Sequence, residues 1–322
     1  MIEESITIIQ QHYESGAYDV ALHLLDNLIT DHPNEARLHR MRGIIFRQTG
    51  EYRLALNAFN KALELDPNDA KTYIERGLNY DIHNMTHKVL PDYDRAIILD
   101  PNFVYAYLVR GMWYAKKMDK KAFADFEKVL SLEPNHLTAY VMRLELYLQL
   151  GDLKSAVADA KYMLDKGLDH PAAYITLIYF YTDKNNLDEA LRVCHMAIEK
   201  YPQNAKLYRT RSGIYEAIDD LPSAIADADM TIQLNPDDML AYMGRAALLT
   251  HAGQYRKALA DLDFVLSKKP ANISTWALRS IIEGALGSYN VILLKKPIKK
   301  RPPKKFSSRK ARAKRDWLNR NG

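Results

Sequence analysis

The sequence predicts an all-α fold, a solenoid of about eight stacked helical hairpins, on the evidence of three residue columns in register. Aromatic residues recur every 33 or 34 positions from Tyr73 to Trp276, and prolines keep the same period from Pro33 onward. The third column is small: Ala21, Ala55, Val89, Ala122, Ala156, Ala190, Ala224 and Ala258. Three columns that share one period indicate an array of structurally equivalent helix pairs.

Each repeat carries the marks of two helices, as residues 36–69 show. The first half, ARLHRMRGIIFRQTG, closes at Gly50, and the second, EYRLALNAFNKALELDPN, closes at Asp66-Pro67. Apolar residues lie three or four apart in both halves, as in amphipathic helices. We expect the small residue early in each pair, such as Gly43 or Gly77, to face the alanine column. Residues 273–286 predict a closing helix, and SYNVILL after Gly287 is expected to fold onto that end.

The segments RGIIF with ALNAFNKALELDP, and ERGLNY with DRAIILDP, resemble the tetratricopeptide repeat family. The resemblance covers residues 2–286 and implies a right-handed α-solenoid whose first helices line a concave groove. The predicted organisation is a solenoid with its capping helix over 1–294, followed by a disordered polybasic tail over 295–322. The repeat 104–136 is one residue shorter than the others.

An arginine recurs where a buried helix would favour leucine. With the aromatic residue at place 4 of each repeat, place 7 holds Arg42, Arg76, Arg110, Arg143, Leu177, Arg211, Arg245 and Arg279. Place 23 holds Ala58, Asp92, Asp125, Asp159, Val193, Asp227 and Asp261. Because Leu177 coincides with Val193, the pattern favours an Arg–Asp pair within each repeat, and Arg42 and Arg279 are expected to be freer. The alternative is a ladder of arginines that binds phosphates.

The family resemblance implies that places 2, 5, 9 and 12 of each first helix face the groove. An apolar strip is expected across four repeats, preceded by a basic rim. The alternative is that several of these side chains pack against neighbouring first helices. The predicted peptide-binding groove comprises Arg37, Arg40, Arg47, Lys71, Ile74, Leu78, Tyr105, Leu108, Met112, Val141, Ile175 and Tyr179. The expected ligand is an extended or helical protein segment with apolar anchors and an acidic end. Place 9 holds no asparagine, so the carboxylate clamp of chaperone-binding relatives is not expected.

Charge is distributed unevenly along the chain, with a basic tail after an acidic body. Residues 295–322 hold 13 Lys/Arg and one acid, which leaves 32 basic and 39 acidic residues, a net of −7, in the rest. The predicted anion-binding residues are Lys299, Lys300, Arg301, Lys304, Lys305, Arg309, Lys310, Arg312, Lys314 and Arg315. Nucleic acid or the ribosome is one expected target; an anionic membrane, a nuclear import receptor and the acidic body of the chain are others. A further alternative is a tail that binds nothing and keeps the chain soluble.

The chemistry that the sequence lacks narrows the function. It contains no Gly-rich phosphate loop, no GxSxG motif and no set of metal ligands, so neither an enzyme nor a cofactor is expected. A single cysteine, Cys194, fits a reducing compartment, and no apolar run would span a bilayer. The sequence therefore predicts a cytoplasmic scaffold or adaptor, also nuclear if the host is eukaryotic, that binds a protein segment in its groove. The alternative is an RNA- or ribosome-associated adaptor anchored through the tail.

Overall fold

The structure, a computed structural model, describes the backbone of residues 2–295 and the side chains as far as residue 287. This part of the chain contains 17 α-helices and no strand, which confirms the predicted all-α fold. It divides into two compact units between Thr210 and Arg211, inside α13. The first unit contains α1 Ile2–Glu14, α2 Tyr18–Asp31, α3 Ala36–Gln48, α4 Tyr52–Leu65, α5 Ala70–Ile82, α6 Thr86–Leu99, α7 Val104–Ala115, α8 Lys121–Leu132, α9 Leu137–Gln149, α10 Leu153–Asp165, α11 Pro171–Asp183 and α12 Leu187–Lys200. Helix α13 spans Ala205–Ala217, and the second unit continues with α14 Leu221–Leu234, α15 Met239–His251, α16 Tyr255–Lys268 and α17 Ile273–Lys295.

The hairpin boundaries follow from local backbone chemistry. Helix α3 ends at Gln48, and Gly50 beyond it has a φ of +82°, the left-handed conformation that glycine adopts without steric cost. Helix α4 ends at Leu65, two residues before Pro67, as the sequence predicted. The same turn in other hairpins places Asn84 and Met118 at positive φ, so a side chain is accepted there.

The core of each hairpin is built where its two helices cross. The alanine column is buried throughout. The small residues of the first helices meet a different partner from the predicted one: a Cβ added at Gly77 would lie 2.5 Å from the Tyr93 ring. Gly43 and Gly111 stand in the same way against Phe59 and Phe126. The prediction about the alanine column was wrong for these hairpins, because the glycines make room for an aromatic ring.

The last helix is longer than predicted. Helix α17 runs without a break from Ile273 through Gly287 to Lys295. Gly287 is not among the glycines with positive φ, so it does not end the helix. The segment after Gly287 therefore continues α17 as far as Lys295, and the coverage of the end of the array by SYNVILL stays a prediction, because its side chains lie outside the described residues.

Candidate peptide-binding cleft

Five arginines of the recurring column bind the aspartate of their own hairpin. Arg76 donates from Nε and Nη2 to the two carboxylate oxygens of Asp92, at 2.8 and 2.7 Å. Bidentate pairs of the same kind join Arg110 to Asp125, Arg143 to Asp159, Arg211 to Asp227 and Arg245 to Asp261. The aspartates are buried, so each guanidinium supplies the counter-charge that a buried carboxylate needs. The predicted pairing is confirmed, and these guanidinium groups do not form a phosphate ladder.

Several of these arginines also reach the preceding hairpin. Arg110 Nη1 lies 2.6 Å from Asp94 Oδ1, and Arg245 Nη1 lies 2.7 Å from Asp229 Oδ1. The hydrogen bonds that Arg110 donates to Asp125 hold the pKa of this guanidinium above its ordinary value. Arg42 and Arg279 lack the bidentate pair and are more exposed than the five paired arginines, as predicted, but backward contacts of the same kind bind them to Asp26 at 3.2 Å and Asp263 at 2.9 Å.

The predicted basic rim is largely neutralised by carboxylates of the same unit. Arg37 pairs with Glu3 at 2.6 Å, and Arg40 pairs with Asp69. Arg47 pairs with Glu75 at 2.6 Å, and burial raises the pKa of that glutamate while Arg47 opposes the shift. Lys71 is exposed. The rim therefore offers a ligand much less positive charge than the sequence suggested.

The predicted apolar strip separates into buried and accessible residues. Ile74, Leu108, Val141 and Ile175, all at place 5, are buried between helices. Tyr105, Met112 and Tyr179 are exposed, and Leu78 is half-buried. Place 5 thus contributes to the packing of the first helices, and the residues at places 2 and 9 are the ones that a ligand could contact.

A cleft of about 340 Å³ lies where α5, α7 and α9 come together. Two predicted groove residues, Leu78 and Met112, line it. The rest of the lining is Asp81, Tyr93, Val109, Trp113, Ala115, Lys116, Met142, Glu145, Leu146 and Gln149. Its walls are mainly apolar, and its volume is that of a site for a few side chains of a bound segment.

The charged groups of the cleft are mostly acidic. Asp81 lies 3.8 Å from the ammonium of Lys116, whose side chain is largely exposed. Glu145 forms no ion pair among the residues whose side chains are described. Burial raises the pKa of the Tyr93 hydroxyl, and Asp81 adds to the shift, so this phenol stays neutral and can donate a hydrogen bond. The cleft therefore combines an apolar floor with one unpaired carboxylate.

Sequence reasoning missed Trp113, Met142 and Leu146, because only places 2, 5, 9 and 12 were assigned to the groove. Met142 and Gln149 are seven residues apart on α9, which places both on one face of that helix. A stripe of residues spaced seven apart, next to the predicted stripe, would have identified Met142 and Gln149. The predicted tail residues Lys299 to Arg315 lie outside the described residues.

Three comparisons relate the chain to known proteins. Family models described as tetratricopeptide repeat match residues 7–70, 147–212 and 212–283. The comparison with curated proteins finds no match. Among the similar solved structures are yeast Tom70, with 18% identity and a TM-score of 0.59, and the APC/C hetero-tetramer Cut9–Hcn1, with 15% identity and a TM-score of 0.58. These alignments cover 85% and 86% of this chain but only 60% and 55% of the other chains, and identities this low show the fold alone.

Within the described residues, the longest and most apolar helices still fall short of what a membrane crossing requires. The same residues contain no group of three or more His, Cys, Asp or Glu side chains placed to hold a metal ion.

Proposed function

Because the chain belongs to the tetratricopeptide repeat family, whose members are protein-interaction scaffolds, we propose that it binds a segment of a partner protein in the cleft between α5, α7 and α9. The observation that carries the proposal is the apolar cleft itself, with the exposed side chains of Met112 and Tyr105 on the same helix. Accessible apolar surface of this kind is costly in water unless a partner covers it. The proposed role is non-enzymatic.

The charges favour a segment with an apolar anchor and a lysine or arginine next to it. Glu145 is available to a cation, whereas Arg37, Arg40 and Arg47 are already paired with carboxylates. Among the residues of the cleft lining and the predicted rim, the acidic end predicted from the sequence would find Lys116, weakly paired with Asp81, and the exposed Lys71. The proposed ligand is therefore the reverse in charge of the one that the basic rim suggested.

Peptide selection followed by mutation tests the proposal. Peptides selected from a random displayed library against the full chain should be rich in apolar residues beside Lys or Arg. Met112→Glu should weaken their binding, measured by fluorescence anisotropy, by about tenfold or more, because it places a charge on the apolar floor. Met196→Glu is the matched control, since Met196 is equally exposed but lies on α12, outside the cleft. Equal binding by both variants would place the peptide site elsewhere.

The RNA- or ribosome-associated alternative stays a prediction from the sequence. Its residues lie outside the described part of the chain, and the comparisons give no support for a nucleic-acid partner. Capture experiments with the full chain and with a chain that ends at Lys295, at low and high salt, separate the two functions. Loss of salt-sensitive nucleic acid on truncation, with peptide binding retained, would assign the two activities to different parts of the chain.

A further inference from the structure

The turn between α7 and α8 concentrates positive charge. Lys116, Lys117, Lys120 and Lys121 surround Met118 within six residues, and all four are exposed. Two carboxylates lie near them: Asp119 accepts a hydrogen bond from the backbone N–H of Lys121 at 2.9 Å, and Asp81 contacts Lys116 at 3.8 Å. The turn therefore carries more positive than negative charge on its surface.

This charge lies where it opposes the stability of α8. Lys120 and Lys121 lie at the amino end of α8, where the carboxylate of Asp119 caps the backbone N–H of Lys121. Cations are unfavourable at the amino end of a helix, where the N–H groups carry partial positive charge. Asp152 and Asn186 cap later hairpins in the same way as Asp119, but each is followed by leucine rather than by lysine. An acidic or amide side chain at position 120 would serve folding better.

The backbone of the turn is also unfavourable for its residue. Met118 has a φ of +56°, a conformation occupied by Gly50 and Gly151 in other hairpins. A long apolar side chain gains no local hydrogen bond in that conformation, unlike asparagine or aspartate. This turn therefore combines lysines at the amino end of a helix with a residue in an unfavourable backbone conformation. Such local costs are typical of a functional surface.

The turn presents apolar side chains among the lysines. Met118 is 51% exposed, and Ile82, at the end of α5, is 62% exposed. The contact between Lys116 and Asp81, the residue before Ile82, shows that the two turns are neighbours. The ammonium of Lys117 lies 4.2 Å from the centre of the Trp113 ring. Long cationic side chains around exposed apolar ones, with an aromatic ring beneath, match the boundary between lipid headgroups and acyl chains.

We propose that the α7–α8 turn docks on the surface of an anionic lipid bilayer, with Met118 and Ile82 entering the headgroup region. All four cations of the turn are lysines, which are compact charges on flexible stems and suit a fluid array of phosphates. Arginines would be expected for fixed, two-point recognition of nucleic-acid phosphates. The docking is peripheral, and its surface adjoins the cleft, because Trp113 and Lys116 line the cleft as well.

A dye at the turn reports docking locally, so that binding by other parts of the full chain does not obscure the result. Met118→Cys provides the attachment site for an environment-sensitive dye, because the other cysteine, Cys194, is buried. Vesicles of phosphatidylcholine with phosphatidylserine should shift the dye emission to the blue and raise its intensity, and vesicles of phosphatidylcholine alone should not. The matched control is Ile98→Cys, since Ile98 is 68% exposed near the carboxyl end of α6, far from the helix end that adjoins the turns. This control should show no shift.

Removal of the charge completes the test. Each lysine replaced by glutamine should weaken vesicle docking about fivefold, so the fourfold variant should need several hundredfold more lipid for the same dye response. Its melting temperature should be unchanged or higher, because α8 loses an unfavourable charge. A silent dye on vesicles that bind the chain, or an unaltered response in the fourfold variant, overturns the proposal. So does an equal response to polyuridine or polyglutamate, which would assign the turn to a nucleic acid or an acidic protein.

Discussion

Two hairpins of the first unit, α5–α6 and α11–α12, fill the same interior with different chemistry. In α5–α6, Arg76 and Asp92 form a bidentate ion pair at the crossing of the helices. In α11–α12, the same places hold Leu177 and Val193, and both are buried. The α5–α6 hairpin therefore pairs two opposite charges in its interior, whereas α11–α12 has no charged residue at these places.

The neighbouring places of the same hairpins show a second exchange, this time of volume. In α5–α6, the large ring of Tyr93 stands against Gly77. In α11–α12, Ile178 and Cys194 occupy these places, and neither is exposed. A small residue facing a large one is replaced by two residues of intermediate size, so the summed volume is roughly kept. Cys194 is accordingly a packing residue of this hairpin.

The interior of a hairpin can be filled at these places either by an ion pair or by two apolar residues. The two halves of the ion pair depend on each other. A buried pair contributes little beyond what apolar residues of the same volume provide, but one half alone is costly. The repeat with Leu177 and Val193 lacks both halves for this reason, whereas Arg42, which faces Ala58, contacts Asp26 instead. This dependence can be tested in a hairpin that has the ion pair, by replacing first its arginine and then also its aspartate with the apolar residues found in α11–α12.

The largest effect is expected from breaking the ion pair in α9–α10. Arg143→Leu should destabilise the chain by about 3–5 kcal/mol, because the buried carboxylate of Asp159 loses its counter-charge. The double variant Arg143→Leu with Asp159→Val reproduces the apolar solution of α11–α12 and should recover most of that loss. Thermal and urea denaturation of both variants check it. A double variant as unstable as the single one would show that the arginine acts through other contacts.

A smaller effect is expected from the exchange of volume. Gly77→Ala should cost about 1–3 kcal/mol, because its Cβ would lie 2.5 Å from the ring of Tyr93 and the packed core must shift. Gly213→Ala is the matched control, since nothing lies within 4 Å of a Cβ there and alanine favours the helix. Denaturation curves should therefore move in opposite directions for the two variants. A stabilised Gly77→Ala chain would mean that the close approach to Tyr93 is not structurally important.

Much of the fold was predictable from the sequence because its determinants are local and repeated. The period of 34 residues and the glycines and prolines at helix ends recur along the chain. One repeat lacks both the arginine and the aspartate, with Leu177 and Val193 in their places. The ion pairs were predictable for the same reason, since residues that depend on each other vary together among the repeats. The end of α17 was not, because glycine ends a helix only where the backbone adopts positive φ, and no repeat follows it for comparison.

The cleft was less predictable because exposure depends on how neighbouring helices pack. The strip residues at place 5 read as groove residues in the sequence, but Ile74 and Ile175 are buried by adjacent helices. Arg47 pairs with Glu75 of the next repeat, and Arg40 pairs with Asp69, the N-cap of α5, so their neutralisation was hidden. The backward contact of Arg110 had a signal that was not used: Asp26, Asp94, Asp229 and Asp263 stand 16 residues before an arginine, and Lys161 stands there before Leu177.

The smallest effect is expected at the start of α11, where the titratable imidazole of His170 caps the helix in place of the more usual aspartate or asparagine. The Nδ1 atom of His170 accepts a hydrogen bond from the backbone N–H of Ala172 at 3.2 Å, which requires a neutral ring. Burial lowers the pKa of His170, and the charge of Glu145 partly opposes the shift. The unfolded chain therefore binds the proton more readily than the folded chain does, so stability rises with pH. The contribution of the cap is complete above the ordinary histidine pKa of about 6.5 and is lost as pH falls through the lower, folded value.

The variant His170→Asn isolates this contribution, because asparagine caps a helix as well as a neutral imidazole and does not titrate. Between about pH 8 and about pH 5, the native chain should lose about 1 kcal/mol more stability than the variant does, as measured by melting temperature across the range. At the upper end the two should have similar stability. Parallel pH profiles would mean that the cap survives protonation, and the pH response of the first unit would then arise from its carboxylates. A difference confined to low pH would show that protonation of His170 makes the start of α11 acid-sensitive.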